Sequence, residues 1–399
     1  MRAMQVPRLT PAAAGDPEAR LAAGEERTTP LELFFDLVFV FAITQMAQLV
    51  NHEPSAAGFA RAAVLLATVW YAWICFAWLT NTVGVDAGIV RTGVLVAGGA
   101  SFLVALAVPH ALSEDVVLFV SAYFVVRALH VVLYAHGVRH SPDARRNVLG
   151  LAPTFVLGPA ALFALPWLPE RWRLPYLLIA LAFDISSPYV SGVAALPVRP
   201  AHFAERFALF VIITLGESIV SIGVGAGSHP HGAVLVAVAL AFALAVLLWW
   251  AYFDLVSTAA EKRLGRAAGA ERAILARDAY SYIHYLLVAG IVGFAVGSKQ
   301  LVSKPTHELT TAATVALCGG VAIYLLGHAA FRFRMTRTLG VHHLAGAAGA
   351  VLLLATSGHI PALATGGLLG VVLVAVVVWE RFELFELRER LATQRHAPD

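Results

Sequence analysis

Long apolar runs dominate this chain and restrict the folds open to it. Runs of about 20 residues, the length that crosses a bilayer as a helix, begin near Leu31, Phe59, Val90, Val116, Val148, Leu174, Phe203, Ala233, Ala279, Leu309, Leu339 and Ala362. The composition agrees, because 59% of the residues are hydrophobic and only 13% are charged, against about a quarter charged in soluble domains. We predict an all-α integral membrane protein with about twelve transmembrane helices, six in each half.

A charged helix occurs twice, which indicates an internal duplication. The segment ELFFDLVFVFAITQMAQ, residues 32–48, returns in a weaker form as ERFALFVIITLGES, residues 205–218. One alignment pairs Glu32 with Glu205, Phe34 with Phe207 and Asn81 with Asp254. With six spans each, both halves enter the membrane in the same sense, an arrangement found in transporters. We expect two parallel six-helix repeats at 30–192 and 193–383, between tails at 1–29 and 384–399.

The basic residues predict the orientation. Lys and Arg favour the cytoplasmic side, and 22 of the 28 Lys and Arg residues, Arg206 among them, fall in the tails or in alternate loops on one side. The loops on the other side hold Arg171, Arg173, Lys299 and Lys304. We therefore expect both termini in the cytoplasm. Only three of the basic residues are Lys, and Ala, Val and Leu dominate the chain, a bias typical of high-GC bacterial genomes, so we expect a multi-pass protein of a bacterial cytoplasmic (inner) membrane. The first 29 residues lack an apolar stretch, which predicts a disordered tail and no signal peptide.

Acidic side chains inside the spans are the first functional candidates, because a charge in the bilayer core costs several kcal/mol unless it is paired or hydrated. Glu32 and Asp36 are four residues apart and share a helix face. They either form a polar stripe facing the bundle or accept backbone N–H groups at the helix start. Glu217, next to Ser218, is about 20 Å from the start of the seventh span. It indicates either a polar site or a packed, hydrogen-bonded acid.

Arg127 is the expected counter-charge near the middle of the fourth span. It shares a helix face with His130, and Asp184 of the sixth span is expected at a similar depth. A buried arginine needs a carboxylate, and Glu217, Asp184 or Asp36 can supply one. The pair either belongs to a functional site or only locks two helices together.

Aromatic clusters precede the repeated polar residues of the second and eighth spans. Trp70, Tyr71, Trp73 and Trp78 precede Asn81, and Trp249, Trp250, Tyr252 and Phe253 precede Asp254. Interfacial anchoring explains such aromatics, while Asn81 and Asp254 are candidates to cap each half of a common pore.

The histidines do not indicate a metal centre. The chain has an HxxxH pair, His136 and His140, and an adjacent pair, His342 and His343. We expect neutral histidines in interhelical hydrogen bonds, with no metal and no cofactor.

Three segments resemble the bacterial low temperature requirement A family. They are ELFFDLVFVFAITQ at 32–45, ERFALFVIITLGESIV at 205–220 and WWAYFD at 249–254. Together with the twelve spans, the resemblance covers the chain from about Thr29 to Glu383. It implies a link to growth at low temperature and names no molecular activity.

Two functional classes follow from these features. The duplication favours a transporter or channel, proton-coupled or not, with an intramembrane carboxylate and arginine site. The alternative is a membrane enzyme or lipid-handling protein at the inner leaflet, which is less favoured because GxxxxGKS, GxSxG and DDxxD motifs are absent. A scaffold whose buried charges only fix packing is a third interpretation. Expected partners are membrane lipids and an unidentified small solute or ion, with no nucleic acid, because no basic stripe interleaved with aromatics occurs.

Overall fold

The computed structural model describes residues 28–85, 88–190, 192–193 and 196–395. These residues form helices and their connections, with an isolated β-bridge between Glu308 and Pro361. The predicted all-helical class is confirmed for this part of the chain. Of the predicted tails, residues 1–27 and 396–399 lie outside the described residues, whereas residues 384–395 continue the last helix.

The principal helices of the described chain are numbered here in order. They are α1 Pro30–His52, α2 Ala56–Thr82, α3 Gly88–Ala107, α4 Val116–Gly137, α5 Pro142–Ala161, α6 Glu170–Val190, α7 Pro200–Ala226, α8 Ala233–Arg266, α9 Gly269–Ser303, α10 Thr311–Thr336, α11 Val341–Thr356 and α12 Ala362–Arg395.

Ten of these described helices are long and apolar enough to cross a membrane. The other two of the expected twelve spans are α6 and α11. Helix α6 has Glu170, Arg171 and Arg173 in its first turn, and α11 has only 16 residues. Length and composition therefore support ten spans, not the predicted twelve.

The outer surface of the bundle is apolar. Val132, Ile179, Val236, Leu352 and Val371 are each more than half exposed. Soluble proteins rarely expose apolar area on this scale, whereas helices satisfy their own backbone hydrogen bonds and tolerate hydrocarbon around them. The fold is that of a multi-pass membrane protein.

The helices of the two halves pack in the same order. In the first half, α1 contacts α2 and α3, and then α3 contacts α4, α4 contacts α5, α5 contacts α6, and α6 contacts α2. In the second half, α7 contacts α8 and α9, and then α9 contacts α10, α10 contacts α11, α11 contacts α12, and α12 contacts α8. Six consecutive helices thus repeat one pattern of neighbours.

Helices α1 and α7 join the halves and lie side by side. The contacts between them pair Phe39 with Phe210 and Thr44 with Glu217. Contacts that advance together along both helices require the two to run in the same direction. We call this α1–α7 contact, from Glu32 to Thr44 and from His202 to Glu217, the central contact.

Arginines gather at one end of the bundle. The end of α2 lies beside the start of α7, because Asn81 accepts from the backbone N–H of Arg199 at 2.9 Å. The start of α9 joins them, since Arg272 donates to the carbonyl of Val198 at 3.3 Å. We call this the basic end; the charge bias of the sequence predicts that it faces the cytoplasm.

Glycines bring α9 and α10 unusually close together. A Cβ on Gly290 would lie 2.6 Å from the backbone nitrogen of Tyr324 and 2.7 Å from the carbonyl oxygen of Gly320. A Cβ on Gly293 would lie 3.0 Å from the Cα of Gly320. Small residues at such spacing allow backbone-to-backbone packing of membrane helices. We call this the glycine contact.

Candidate functional site

The basic end of the central contact holds a buried charge network. Arg206 of α7 lies between two acids of α1: its Nη2 is 2.7 Å from Asp36 Oδ1, and its Nη1 is 2.9 Å from Glu32 Oε1. All three side chains are at most 1% exposed. Charge-assisted pairs of this kind withstand burial because each charge meets an opposite one.

Glu32 also caps its own helix. Its Oε2 accepts from the backbone N–H and the hydroxyl of Thr29, both at 2.9 Å, and the Thr29 hydroxyl accepts from the Glu32 backbone N–H. This is a capping box, which satisfies donors left free at a helix start. Both sequence interpretations of Glu32 therefore hold, since it caps the helix and faces the bundle.

His202 extends this network to α2. The Asn81 amide nitrogen donates to His202 Nδ1 at 3.1 Å, which leaves the ring hydrogen on Nε2, 3.2 Å from the Glu32 carboxylate. The two carboxylates of Glu32 and Asp36 thus share the one guanidinium of Arg206, with this imidazole beside them.

Two members of this network were not predicted from the sequence. Arg206 was expected in a cytoplasmic loop, and His202 was not among the candidate residues. The structure places both inside α7, which begins at Pro200. One feature of the sequence could have indicated Arg206. It directly follows Glu205, so the two side chains lie on different faces of the helix.

An aromatic layer lies above the network, away from the basic end. Trp73 donates its indole N–H to Asp36 Oδ1 at 2.8 Å, and its ring centroid is 4.4 Å from that of Phe210. Phe39 and Trp70 complete the layer. We call these four residues the aromatic block. The prediction that Trp70 and Trp73 are interfacial anchors is wrong, because both are at most 4% exposed.

Glu217 lies on the other side of the aromatic block. Its Oε2 accepts from the Thr44 hydroxyl at 2.5 Å, and its Oε1 accepts from the Ser221 hydroxyl at 3.1 Å. Glu217 is 3% exposed and Ser218 is fully buried, with a hydroxyl that lacks a partner among the described residues. No basic side chain of the described residues forms an ion pair with Glu217.

Arg127 pairs with Asp184, one of the three acids considered for it. Its Nη2 lies 2.7 Å from Asp184 Oδ1, and its Nη1 contacts Cys75. The guanidinium carbon lies 4.8 Å from the Tyr71 ring centroid and 5.0 Å from that of Phe155. This ion pair is complete within the first half and is separate from the central contact.

His130 lies near this pair and lines a small cavity. The cavity has a volume of about 40 Å³ and is bounded in part by Cys75, His130, Tyr134 and Phe155, which leaves room for a few water molecules. The His130 Nδ1 atom lacks a hydrogen-bond partner among the described residues. The walls of this cavity are mainly aromatic and apolar, so it is better suited to a few ordered water molecules than to the passage of ions.

Asp254 lies apart from all these groups. Its Oδ2 is 2.7 Å from Nη2 of Arg381, and both side chains are substantially exposed. Asn81, which the sequence alignment pairs with it, is instead buried in the network. The structure therefore does not bring the two residues together at one pore.

The apolar surface, the parallel helix packing and the buried acids define a multi-pass membrane protein with a polar centre between its halves. Comparison with known proteins gives its family: residues 27–378 match the family described as bacterial low temperature requirement A protein (LtrA), and the chain belongs to it. It is also 28% identical over 376 residues to an uncharacterized protein of Rhizobium meliloti (strain 1021), across 90% of each chain.

Proposed function

We propose that the protein is a proton-coupled transporter of the bacterial inner membrane, with its carrier site at the central contact. Glu217 is the proton-carrying acid in this proposal. The observation that carries it is a buried carboxylate at the meeting point of two similar halves, held by hydroxyl groups and not by an arginine. An acid held in this way can gain or lose a proton without breaking an ion pair.

The order of helix packing supports a duplication into parallel six-helix repeats. The same sequence of neighbours runs from α1 to α6 and from α7 to α12. In this proposal α6 and α11 complete twelve spans, and both termini are cytoplasmic. Parallel repeats are related by an axis along the membrane normal, and transporters bind their substrates where such repeats meet.

The register of Thr44 and Glu217 supports the position of that axis. They are 173 residues apart, the same interval that separates Glu32 from Glu205. Around a two-fold axis, a residue touches its own counterpart only where it lies next to the axis. The contact is therefore central within the proposed repeat, with Thr44 about 20 Å along α1 by helical rise.

Two proton-binding layers support coupling. The network places two carboxylates, of Glu32 and Asp36, beside the one guanidinium of Arg206 at the basic end, while Glu217 lies deeper. The aromatic block separates them, since Phe39 follows Asp36 along α1 and Phe210 follows Arg206 along α7. Movement of this block is the step that would connect the two layers.

Flux in proteoliposomes tests the proposal. A pH-sensitive dye inside the vesicles reports proton movement under an imposed potential, with ions and pools of small solutes added outside. We expect wild-type protein to move protons and Glu217→Gln to lose that flux while it folds normally, because the amide keeps the shape of the acid. The exposed Glu308→Gln is the matched control.

Two results would contradict the proposal. One is unchanged proton flux in a well-folded Glu217→Gln protein. The other is a wild-type protein that moves no protons with any of these solutes.

A further inference from the structure

A second buried polar cluster lies at the basic end of the second half. His342 and His343 begin α11, and Glu380 lies near them on α12. His342 Nε2 is 3.8 Å from Glu380 Oε1, and His343 Nε2 is 3.9 Å from Glu380 Oε2. Both imidazoles are fully buried and Glu380 is 6% exposed. These gaps are too long for hydrogen bonds.

Some buried imidazole nitrogens at this cluster lack partners. Both ring nitrogens of His343 and both of the neighbouring His328 have no hydrogen-bond partner among the described residues. The two rings are stacked with centroids 5.2 Å apart. Leaving a buried polar atom unsatisfied is unfavourable, so four such atoms in adjacent histidines point to a ligand that satisfies some of them.

His342 is already oriented to present one nitrogen. Its Nδ1 lies 3.3 Å from Glu383 Oε1, and a hydrogen on Nδ1 that this carboxylate accepts leaves the Nε2 lone pair toward Glu380. Histidine ligands of metals commonly donate their other N–H to a carboxylate in this way. Glu380 and Glu383 are three residues apart on α12, which places both on the same helix face.

The first half offers a comparison. There the carboxylate of Asp184 on α6 faces the guanidinium of Arg127 on α4, so the cation is part of the protein. In the second half the carboxylate of Glu380 on α12 faces imidazoles of α11. No arginine forms an ion pair with Glu380 among the described residues. The carboxylate of Glu380 therefore faces imidazole nitrogens where the carboxylate of Asp184 faces a guanidinium.

We propose that His342, His343 and Glu380 bind a divalent transition-metal ion of the zinc class. Their ligand atoms lie within 4.8 Å of one another. Ligands about 2.1 Å from a tetrahedral ion are about 3.4 Å apart. The two histidine–glutamate separations of 3.8 and 3.9 Å therefore shorten by about half an ångström to reach this geometry, and no separation shortens by more than about 1.4 Å. Two imidazoles and a carboxylate are a common zinc ligand set that leaves a fourth position open. This proposal departs from the sequence expectation of no metal.

Arg332 marks the side from which an ion enters. Its Nη2 lies 3.0 Å from Glu383 Oε2, and its Nη1 lies 3.4 Å from His342 Nε2. An ion at Nε2 displaces that second contact. Because the side chains of Arg332 and Glu383 are 26% and 36% exposed, the guanidinium can turn into water while it keeps its carboxylate partner.

Metal titration of the full-length protein tests the site. The protein is produced with an affinity tag that lacks histidine, stripped with a chelator and titrated with Co²⁺, whose visible absorption reports its ligands, and then with Zn²⁺. We expect stoichiometric Co²⁺ binding with tetrahedral absorption, and displacement by Zn²⁺. His343→Ala and Glu380→Gln should abolish it, and Glu383→Gln should weaken it about 10- to 100-fold.

A matched histidine control separates this site from surface binding. Replacement of both His136 and His140 by alanine removes the HxxxH pair on the first half and should leave binding unchanged. Absence of stoichiometric binding by the wild-type protein overturns the proposal, and so does wild-type binding by Glu380→Gln. The glutamine keeps the side-chain shape, so it decides the matter if His343→Ala fails to fold. The readout is metal content, which is independent of transport.

Discussion

The hydroxyl of Thr44 donates a 2.5 Å hydrogen bond to the carboxylate of Glu217, 173 residues later in the chain. The same interval separates Glu32 from Glu205. In the proposed duplication, the buried acid of the second half is thus held by the equivalent position of the first. Because the two residues come from different halves of the chain, this contact links the halves at one depth.

Thr44→Val should impair the carrier site without unfolding the protein. Valine keeps the size of threonine and removes the donor, so Glu217 retains only the Ser221 hydroxyl. The lost bond to a buried group costs about 1–3 kcal/mol. We expect a shifted pH dependence of proton flux, measured in proteoliposomes, with Thr44→Ser close to wild type. Identical pH profiles for Thr44→Val and wild type would argue against a role for this bond.

Arg206→Gln should destabilise the basic end strongly. It leaves the acids Glu32 and Asp36 buried without their cation, a change that costs about 3–5 kcal/mol. Adding Asp36→Asn removes one surplus charge and should restore part of the loss. Melting temperatures in detergent measure both variants. If Arg206→Gln melts at the wild-type temperature, the network does not hold α1 to α7.

Arg127→Gln should be rescued by Asp184→Asn and not by Glu217→Gln. The single change leaves the Asp184 carboxylate buried and unpaired, with a cost of about 3–5 kcal/mol. The double change with Asp184 removes both charges, whereas Glu217 has other partners. Detergent-solubilised yield and melting temperature distinguish the pairs. Rescue by Glu217→Gln instead would show that Glu217, and not Asp184, is the partner of Arg127.

Gly290→Ala should destabilise the second half. The added methyl group would lie 2.6–2.8 Å from backbone atoms of α10, which cannot move aside as a flexible side chain can. Overpacking of this kind costs about 1–3 kcal/mol. Gly223→Ala is the control, because a Cβ there meets nothing within 4 Å. Thermal melting of both variants in detergent checks the prediction, and equal melting would rule out a tight glycine contact.

Cysteine labelling should place the basic end in the cytoplasm. Cys75 and Cys318 are both buried, so new cysteines at exposed positions report their own location. We expect Glu271→Cys to resist a membrane-impermeant reagent in intact cells and Glu308→Cys to react. The reverse pattern would invert the predicted topology.

Much of the fold was predictable because lipid imposes a simple pattern. A helix must be apolar for about 20 residues to cross a bilayer, so the starts of α1, α2 and α8 follow from composition alone. Span number was harder to predict. Helix α6 begins with three charged residues and α11 is short. The sequence does not show whether contacts with neighbouring helices allow such helices to cross the membrane.

The candidate site was only partly predictable, since a charged residue within a span can be recognised in the sequence, whereas its partner cannot. Glu32, Asp36 and Glu217 were singled out because acids are rare in spans. Their partners depend on helix rotation, which packing sets. Arg206 lies close enough to the start of α7 that it is indistinguishable in sequence from a loop arginine, and Trp73 was assigned to the interface because its indole partner Asp36 lies on another helix.

The glycine contact determines which parts of the protein can move. The backbones of α9 and α10 touch without intervening side chains, which leaves the two helices no room to slide or tilt against each other. The two helices therefore form one rigid unit. Helix α7 packs on α9. The contact of α7 with α1 is made by side chains, so in the proposed transporter α7 moves with the rigid unit and this contact acts as the hinge. Rotation there would turn Glu217 toward each face of the membrane in turn.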